Sequence, residues 1–113
     1  MTLGEKQRLF ARLLADFVLR IYALGYEVTF GDAYRDPRLH GELGEAKGYG
    51  APSSCHKLRL AVNLNLFKNG KFLSATEDHK PLGQVWQSMH PLARWGGQFN
   101  DGNHYSFEHE GHK

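Results

Sequence analysis

Residues 60–67, Leu-Ala-Val-Asn-Leu-Asn-Leu-Phe, alternate without a break. Leu60, Val62, Leu64 and Leu66 fall on one side of an extended chain, and Ala61, Asn63, Asn65 and Phe67 on the other. A helix would scatter the four aliphatic side chains around its axis, so the segment reads as a strand with one core face and one more polar face. Lys68-Asn69-Gly70-Lys71 follows, the Asn-Gly pair that suits a two-residue hairpin because both central residues take positive φ. A return strand then starts over Lys71 to Leu73. A chain holding this hairpin builds a mainly antiparallel sheet around it and needs other elements to cover the aliphatic face.

Those elements are readable on either side. Thr2 and Glu5 match a capping box. Leu3, Phe10, Leu13, Leu14, Phe17, Val18 and Ile21 then recur at helical spacing until Gly25 stops the helix, giving one amphipathic helix over 3–24. Its aromatic stripe is a core face. Tyr26 to Tyr34 alternates as a strand. Residues 36–55, with four glycines and two prolines, read as a long loop holding at most one helical turn, and loops of that length are more often functional than idle. Thr76 or Asp78 caps a second helix running to Met89, with Leu82, Val85, Trp86 and Met89 inward, and Pro91 ends it. Arg94-Trp95-Gly96-Gly97 reads as a turn, and His104 to Glu108 as a short strand. The expected architecture is α+β, two helices packed on a small, mainly antiparallel sheet in a single domain over 1–113.

Composition narrows the chemistry. Cys55 is the only cysteine, so an internal disulfide and a Cys-rich metal site are both excluded. A metal would have to be held by the seven histidines together with Asp, Glu or Asn. A net charge of +2 selects no polyanionic partner, and no basic stripe with interleaved aromatics supports nucleic-acid binding. Charged residues from Glu5 to Arg20 interrupt the apolar positions of the first helix, so neither a secretory signal nor a membrane span is expected there.

Three polar clusters remain: Ser54-Cys55-His56, Asn63, and Asp101-Gly102-Asn103-His104. Each has an ordinary reading, as a surface histidine, a solvated asparagine and a turn. Geometry tests the sharper one. Seven residues of continuous strand would put His56 and Asn63 about 23 Å apart. Side chains sharing one zinc come from Cα atoms at most roughly 12 Å apart. The chain must therefore bend at Lys57-Leu58-Arg59 if the two are to meet, and the alternation does begin only at Leu60. Gly102-Asn103 similarly lets Asp101 and His104 face one spot. Cys55 and His56 are not a thiol dyad, since adjacent side chains on an extended chain point apart. His109 and His112 read as solvated, with a place close to the site as the alternative for His109, and Trp86 and Trp95 read as core or cleft wall.

Taken together, Ser54-x-His56-x6-Asn63, Ala-Tyr-Arg at 33–35, Arg94-Trp95-Gly96-Gly97 and Asp101-x-x-His104-Tyr105 resemble the D-alanyl-D-alanine carboxypeptidase and L-alanyl-D-glutamate peptidase family. The likeness runs over about residues 30–110 and is strongest to the short, phage-encoded endolysins. It implies a Zn2+ site in a cleft on the sheet with His56 and His104 as ligands and Asn63 in the third position. It implies Asp101 as general base, Arg35 on the substrate carboxylate or the developing oxyanion, and Ser54 as a site-ordering or substrate-contacting residue. The implied substrate is a peptidoglycan stem peptide, cut at L-Ala-D-Glu or D-Ala-D-Ala. A monomer is expected that inserts in no membrane, gathers in the host cytoplasm, and reaches the cell wall when a holin-like partner releases it.

Asn63 departs from that family, whose middle ligand is an aspartate. An amide oxygen is a neutral and weaker donor, leaving a dication without a compensating anion. Three readings stand at this point. Asn63 is an engineered replacement that stops catalysis, or a natural ligand of a weaker or altered metal site, or the mark of a protein that lost its metal and kept a wall-binding role.

Overall fold

The computed structural model describes residues 1–48 and 50–113; Tyr49, within the expected long loop, lies outside them. Helix α1 spans Leu3–Ala23, strand β1 Glu27–Phe30, helix α2 Pro37–His40, strand β2 Ala61–Lys68 and strand β3 Lys71–Leu73. Helix α3 follows over Thr76–Met89, then strands β4 Ala93–Trp95 and β5 His104–Phe107. The fold is the expected α+β class, with the single turn of α2 as the helical piece of the 36–55 segment. None of the described helices is long and apolar enough to cross a membrane.

The sheet is antiparallel, in the order β1-β2-β5-β4, with β3 also paired to β2. β1 takes one edge of β2 through Val28 opposite Leu66 and Phe30 opposite Leu64. The other edge is shared, β5 covering Ala61 to Asn63 and β3 covering Leu66 to Lys68. Asn69 and Gly70 both take positive φ, 52° and 75°, as an Asn-Gly hairpin turn requires. Leu60, Val62, Leu64 and Leu66 are all buried, as the alternation predicts.

Their cover is α1 and α3. The capping box at Thr2 forms, with the Glu5 amide donating to Thr2 Oγ1 and the Thr2 amide to Glu5 Oε1. Phe10, Phe17 and Ile21 turn inward. Phe17 meets Trp86 and Tyr105 at ring-centroid distances of 5.1 and 5.0 Å. Trp86 is fully buried, and its indole N–H donates to the carbonyls of Arg94 and Ser106, which resolves the one polar group that so large a core side chain brings in.

Four local expectations need correction. The strand expected over 26–34 stops at Phe30: two further bonds, Gly31 N–H to Asn63 O and Asn63 N–H to Asp32 O, keep the chain beside β2 before it leaves toward His56. Neither Thr76 nor Asp78 is the N-cap of α3. Ala75 holds that place, while Asp78 accepts from the Ala75 amide and Thr76 Oγ1 from the Gly102 amide. Arg94 and Trp95 are not a turn but pair with Ser106 and Tyr105, and a short 3-10 helix over Gly96–Phe99 makes the turn instead. His109 is not simply solvated, since its Nδ1 lies 3.0 Å from Lys6 Nζ on α1 and its backbone pairs with His112.

The free edge of β1 is closed by a side chain. The Tyr22 hydroxyl on α1 accepts from the Val28 N–H at 3.3 Å and donates to the Val28 carbonyl at 3.4 Å. Truncating the core side of the same helix, Phe17→Ala, is expected to cost about 3–5 kcal/mol, because the cavity would lie between α3 and β5 where neither can close on it. Urea unfolding monitored by tryptophan fluorescence checks the loss.

Candidate functional site

The bend needed between His56 and Asn63 is present. Cys55–Leu58 forms a 3-10 turn capped by Ser54, whose Oγ accepts from the His56 amide at 3.2 Å. Arg59 then takes the left-handed conformation at φ 56° and ψ 34°, turning the chain into β2. Its guanidinium lies over the Tyr34 ring, 4.0 Å from the centroid. Cys55 points the other way. It is fully buried with its thiol toward the Phe107 carbonyl, and burial pushes its pKa up to about 12, so it is neither semi-exposed nor a nucleophile.

Asn63 and His104 sit opposite each other across β2 and β5, which places their side chains on the same face of the sheet. His56 arrives from the 3-10 turn, its ring centroid 5.0 Å from that of His104. His56 Nδ1 lies 2.8 Å from the Ala33 carbonyl, which can only accept, so Nδ1 carries the hydrogen and Nε2 the lone pair. Burial, foremost, holds the His56 pKa below its usual value. His104 is drawn down to about 4, by burial first and then by the neighbouring His56. Both rings are therefore neutral at pH 7.

By distance and angle three buried atoms here lack a hydrogen-bond partner among the described residues, His56 Nε2, Asn63 Oδ1 and His104 Nε2, although the Asn63 side chain acts on His56, and the Lys113 backbone on His104, as a hydrogen-bonding neighbour. A buried polar atom left unpaired costs on the order of 1–3 kcal/mol, and three from facing residues are a set rather than an accident. Two imidazole nitrogens and an amide oxygen are donors that a borderline cation such as zinc accepts, with the second-shell carbonyl of Ala33 already in place behind His56. No group of three His, Cys, Asp or Glu side chains placed to hold a metal ion occurs among the described residues, and the third donor of this set is an asparagine. The residues fit a metal, as a set that brings no negative charge of its own.

His104, of this set, lines a cleft of about 590 Å³. Asp101 and Arg35 line it, with Ser54, Phe99, His104 and Lys113. The Asp101 side chain is half exposed, its Oδ2 3.8 Å from His104 Nδ1. The Arg35 side chain is nearly buried, donating from Nε to Asp32 Oδ2 at 3.2 Å and from Nη1 to Ser54 Oγ at 3.3 Å. Four of the six residues singled out in the sequence, Arg35, Ser54, Asp101 and His104, line this cleft, while His56 and Asn63 lie against His104 without lining it. Sequence reasoning missed Asp32, Phe99 and Lys113. For Asp32 a signal existed, an acid three residues before Arg35.

The Asp101–His104 turn is held by Trp95, whose indole N–H donates to the Gly102 carbonyl at 2.7 Å. Its ring lies between Gly83 on α3 and Gly97 on the 3-10 helix, and a Cβ at either glycine would collide with the indole. Compared with models of known protein families and with curated proteins, the sequence matches none.

Gly83→Ala is expected to destabilise the fold by about 1–3 kcal/mol and to release the Asp101 turn; thermal melting and the NMR amide shifts of 101–104 report the two effects. The histidines predict an acid limit. The unfolded chain takes protons at His56 and His104 from about pH 6.5 downward while the folded chain resists, so metal-free stability is intact above pH 6.5 and is lost as pH falls through about 4. The expected check is urea unfolding across that range, with a flatter profile for His104→Gln.

Proposed function

We propose that the chain is a zinc-dependent peptidase of peptidoglycan stem peptides, cutting L-Ala-D-Glu or D-Ala-D-Ala, as its resemblance to the carboxypeptidase and endolysin family implies. The observation that carries this reading is the grouping of His56, Asn63 and His104, whose buried Nε2, Oδ1 and Nε2 atoms have no hydrogen-bond partner by distance and angle among the described residues, with His104 lining a cleft that Asp101 and Arg35 also line. His56, Asn63 and His104 would hold the ion. When bound, zinc supplies Lewis acidity toward the scissile carbonyl and acidifies the attacking water.

The remaining chemistry belongs to side chains. Asp101, half exposed at the cleft, takes the proton from the attacking water and returns it to the leaving amine. Asp32 and Ser54 fix the Arg35 guanidinium, so it offers a preset positive charge to a substrate carboxylate or to the developing oxyanion. Ser54 both caps the turn that carries His56 and holds Arg35, which makes it a positioning residue for the two. On this reading the protein gathers in the host cytoplasm and acts at the wall as a monomer after a holin-like partner releases it.

One observation favours a second reading. The third donor is a neutral amide, so a dication at this site gains no compensating charge from its ligands. A protein that binds walls without cutting them is the outcome if zinc is held too weakly. Zinc content and turbidity loss of isolated cell walls, measured for this chain beside Asn63→Asp, separate the two. Asn63→Asp is expected to tighten zinc about tenfold or more and to raise hydrolysis, and His56→Ala to abolish both. A wall-binding protein that neither holds zinc nor cuts, even as Asn63→Asp, would sink the peptidase reading.

A further inference from the structure

A second, smaller cavity of about 160 Å³ adjoins the cleft, and Asp101 borders both. His79, Thr76, Asn65 and Asn103 contribute to its wall. His79 is only 2% exposed, and its Nδ1 lies 2.7 Å from the hydroxyl of Tyr105, which is fully buried. That hydroxyl has no other hydrogen-bond partner among the described residues. A phenol keeps its hydrogen at neutral pH and, in a core, must place it on an acceptor. Nδ1 is the acceptor within reach, so Nδ1 carries the lone pair and the neutral ring bears its hydrogen on Nε2. Burial lowers the His79 pKa, which keeps the ring uncharged.

His79 Nε2, on the side of the ring away from Tyr105, has no hydrogen-bond partner among the described residues. His79 lines the cavity, which gains from it an N–H donor whose tautomer is set from behind by Tyr105, beside the side-chain amides of Asn65, Asn100 and Asn103. Thr76 Oγ1 accepts from the Gly102 amide, leaving its own hydrogen to donate. Among the described residues no Lys or Arg lines this cavity, and the Asp101 carboxylate stands at its border. An anion would meet no cation there and one like charge. An uncharged group that accepts at one atom and donates at another meets complementary partners.

We propose that this cavity is a subsite for an uncharged carboxamide or peptide amide, its carbonyl oxygen accepting from His79 Nε2 and its N–H donating at the Asp101 border. The proposal deepens the peptidase reading and rests on it for one point, that the amide belongs to a stem peptide lying across the adjoining cleft. Binding itself needs neither metal nor hydrolysis.

Long-range proton–nitrogen NMR of the 15N-labelled, metal-free full chain tests it, with N-acetyl-D-alaninamide and N-acetyl-D-alanine as probes. The expected result is a His79 ring protonated on Nε2, a saturable shift of that signal with the amide, and binding of the acid weaker by about tenfold or more. His79→Phe should lose the amide response, and Tyr105→Phe should mix the tautomers. If His79→Phe does not fold, the titration of the unaltered chain still decides. A ring protonated on Nδ1, a signal unmoved by the amide, or an acid that binds as tightly would overturn the proposal. A protein that responds to the amide but never cuts walls keeps the subsite and loses the peptidase reading; one that cuts walls without the response does the reverse.

Discussion

Both edges of β2 are hydrogen-bonded, and its two faces look onto different surroundings. Inward, Val62, Leu64 and Leu66 join the side chains of α1 and α3 in the core. Outward, Asn63 sits beside His104 and below the turn that carries His56. A slip of one residue in this strand would exchange the faces, burying the asparagines in the core and presenting leucines to the site. Core and cleft are thus specified by one register. The Asn-Gly turn at one end and the left-handed Arg59 at the other pin that register from both sides.

The parts of the molecule legible in the sequence are those whose signal is local. The alternation of 60–67, the Asn-Gly hairpin and the capping box at Thr2 each depend on residues within a few positions of one another. The bend at Lys57 to Arg59 was accessible for a different reason: strand length and ligand reach leave no straight path between His56 and Asn63. The six candidate residues were placed by likeness to a family, and what the fold adds is that Arg35, Ser54, Asp101 and His104 line one cleft with His56 and Asn63 against His104.

What stayed hidden depends on contacts between distant positions. β4 is too short to display a period, so Arg94 and Trp95 carried only the turn signal of the two glycines behind them. Nothing local links Gly83 to Trp95, although the helix can approach the indole only because that position lacks a side chain. Thr76 looked like a cap because it precedes an apolar run, yet its hydroxyl serves the Asp101 turn from across the fold. His79 similarly gave no sign of its pairing with Tyr105, since 26 residues separate them.

The Tyr22 hydroxyl on Val28 has a bearing on the protein's behaviour in a crowded cell. An outermost strand with open amides and carbonyls is a template on which another chain can lay its own strand, and from which ordered aggregates grow. Here Val28, the second residue of the exposed edge, already has both backbone groups engaged by a phenol from the adjacent helix. Phe30, 66% exposed next to it, would otherwise add an apolar foothold to that template. A single hydroxyl thereby takes up the backbone groups through which a further strand would pair with Val28.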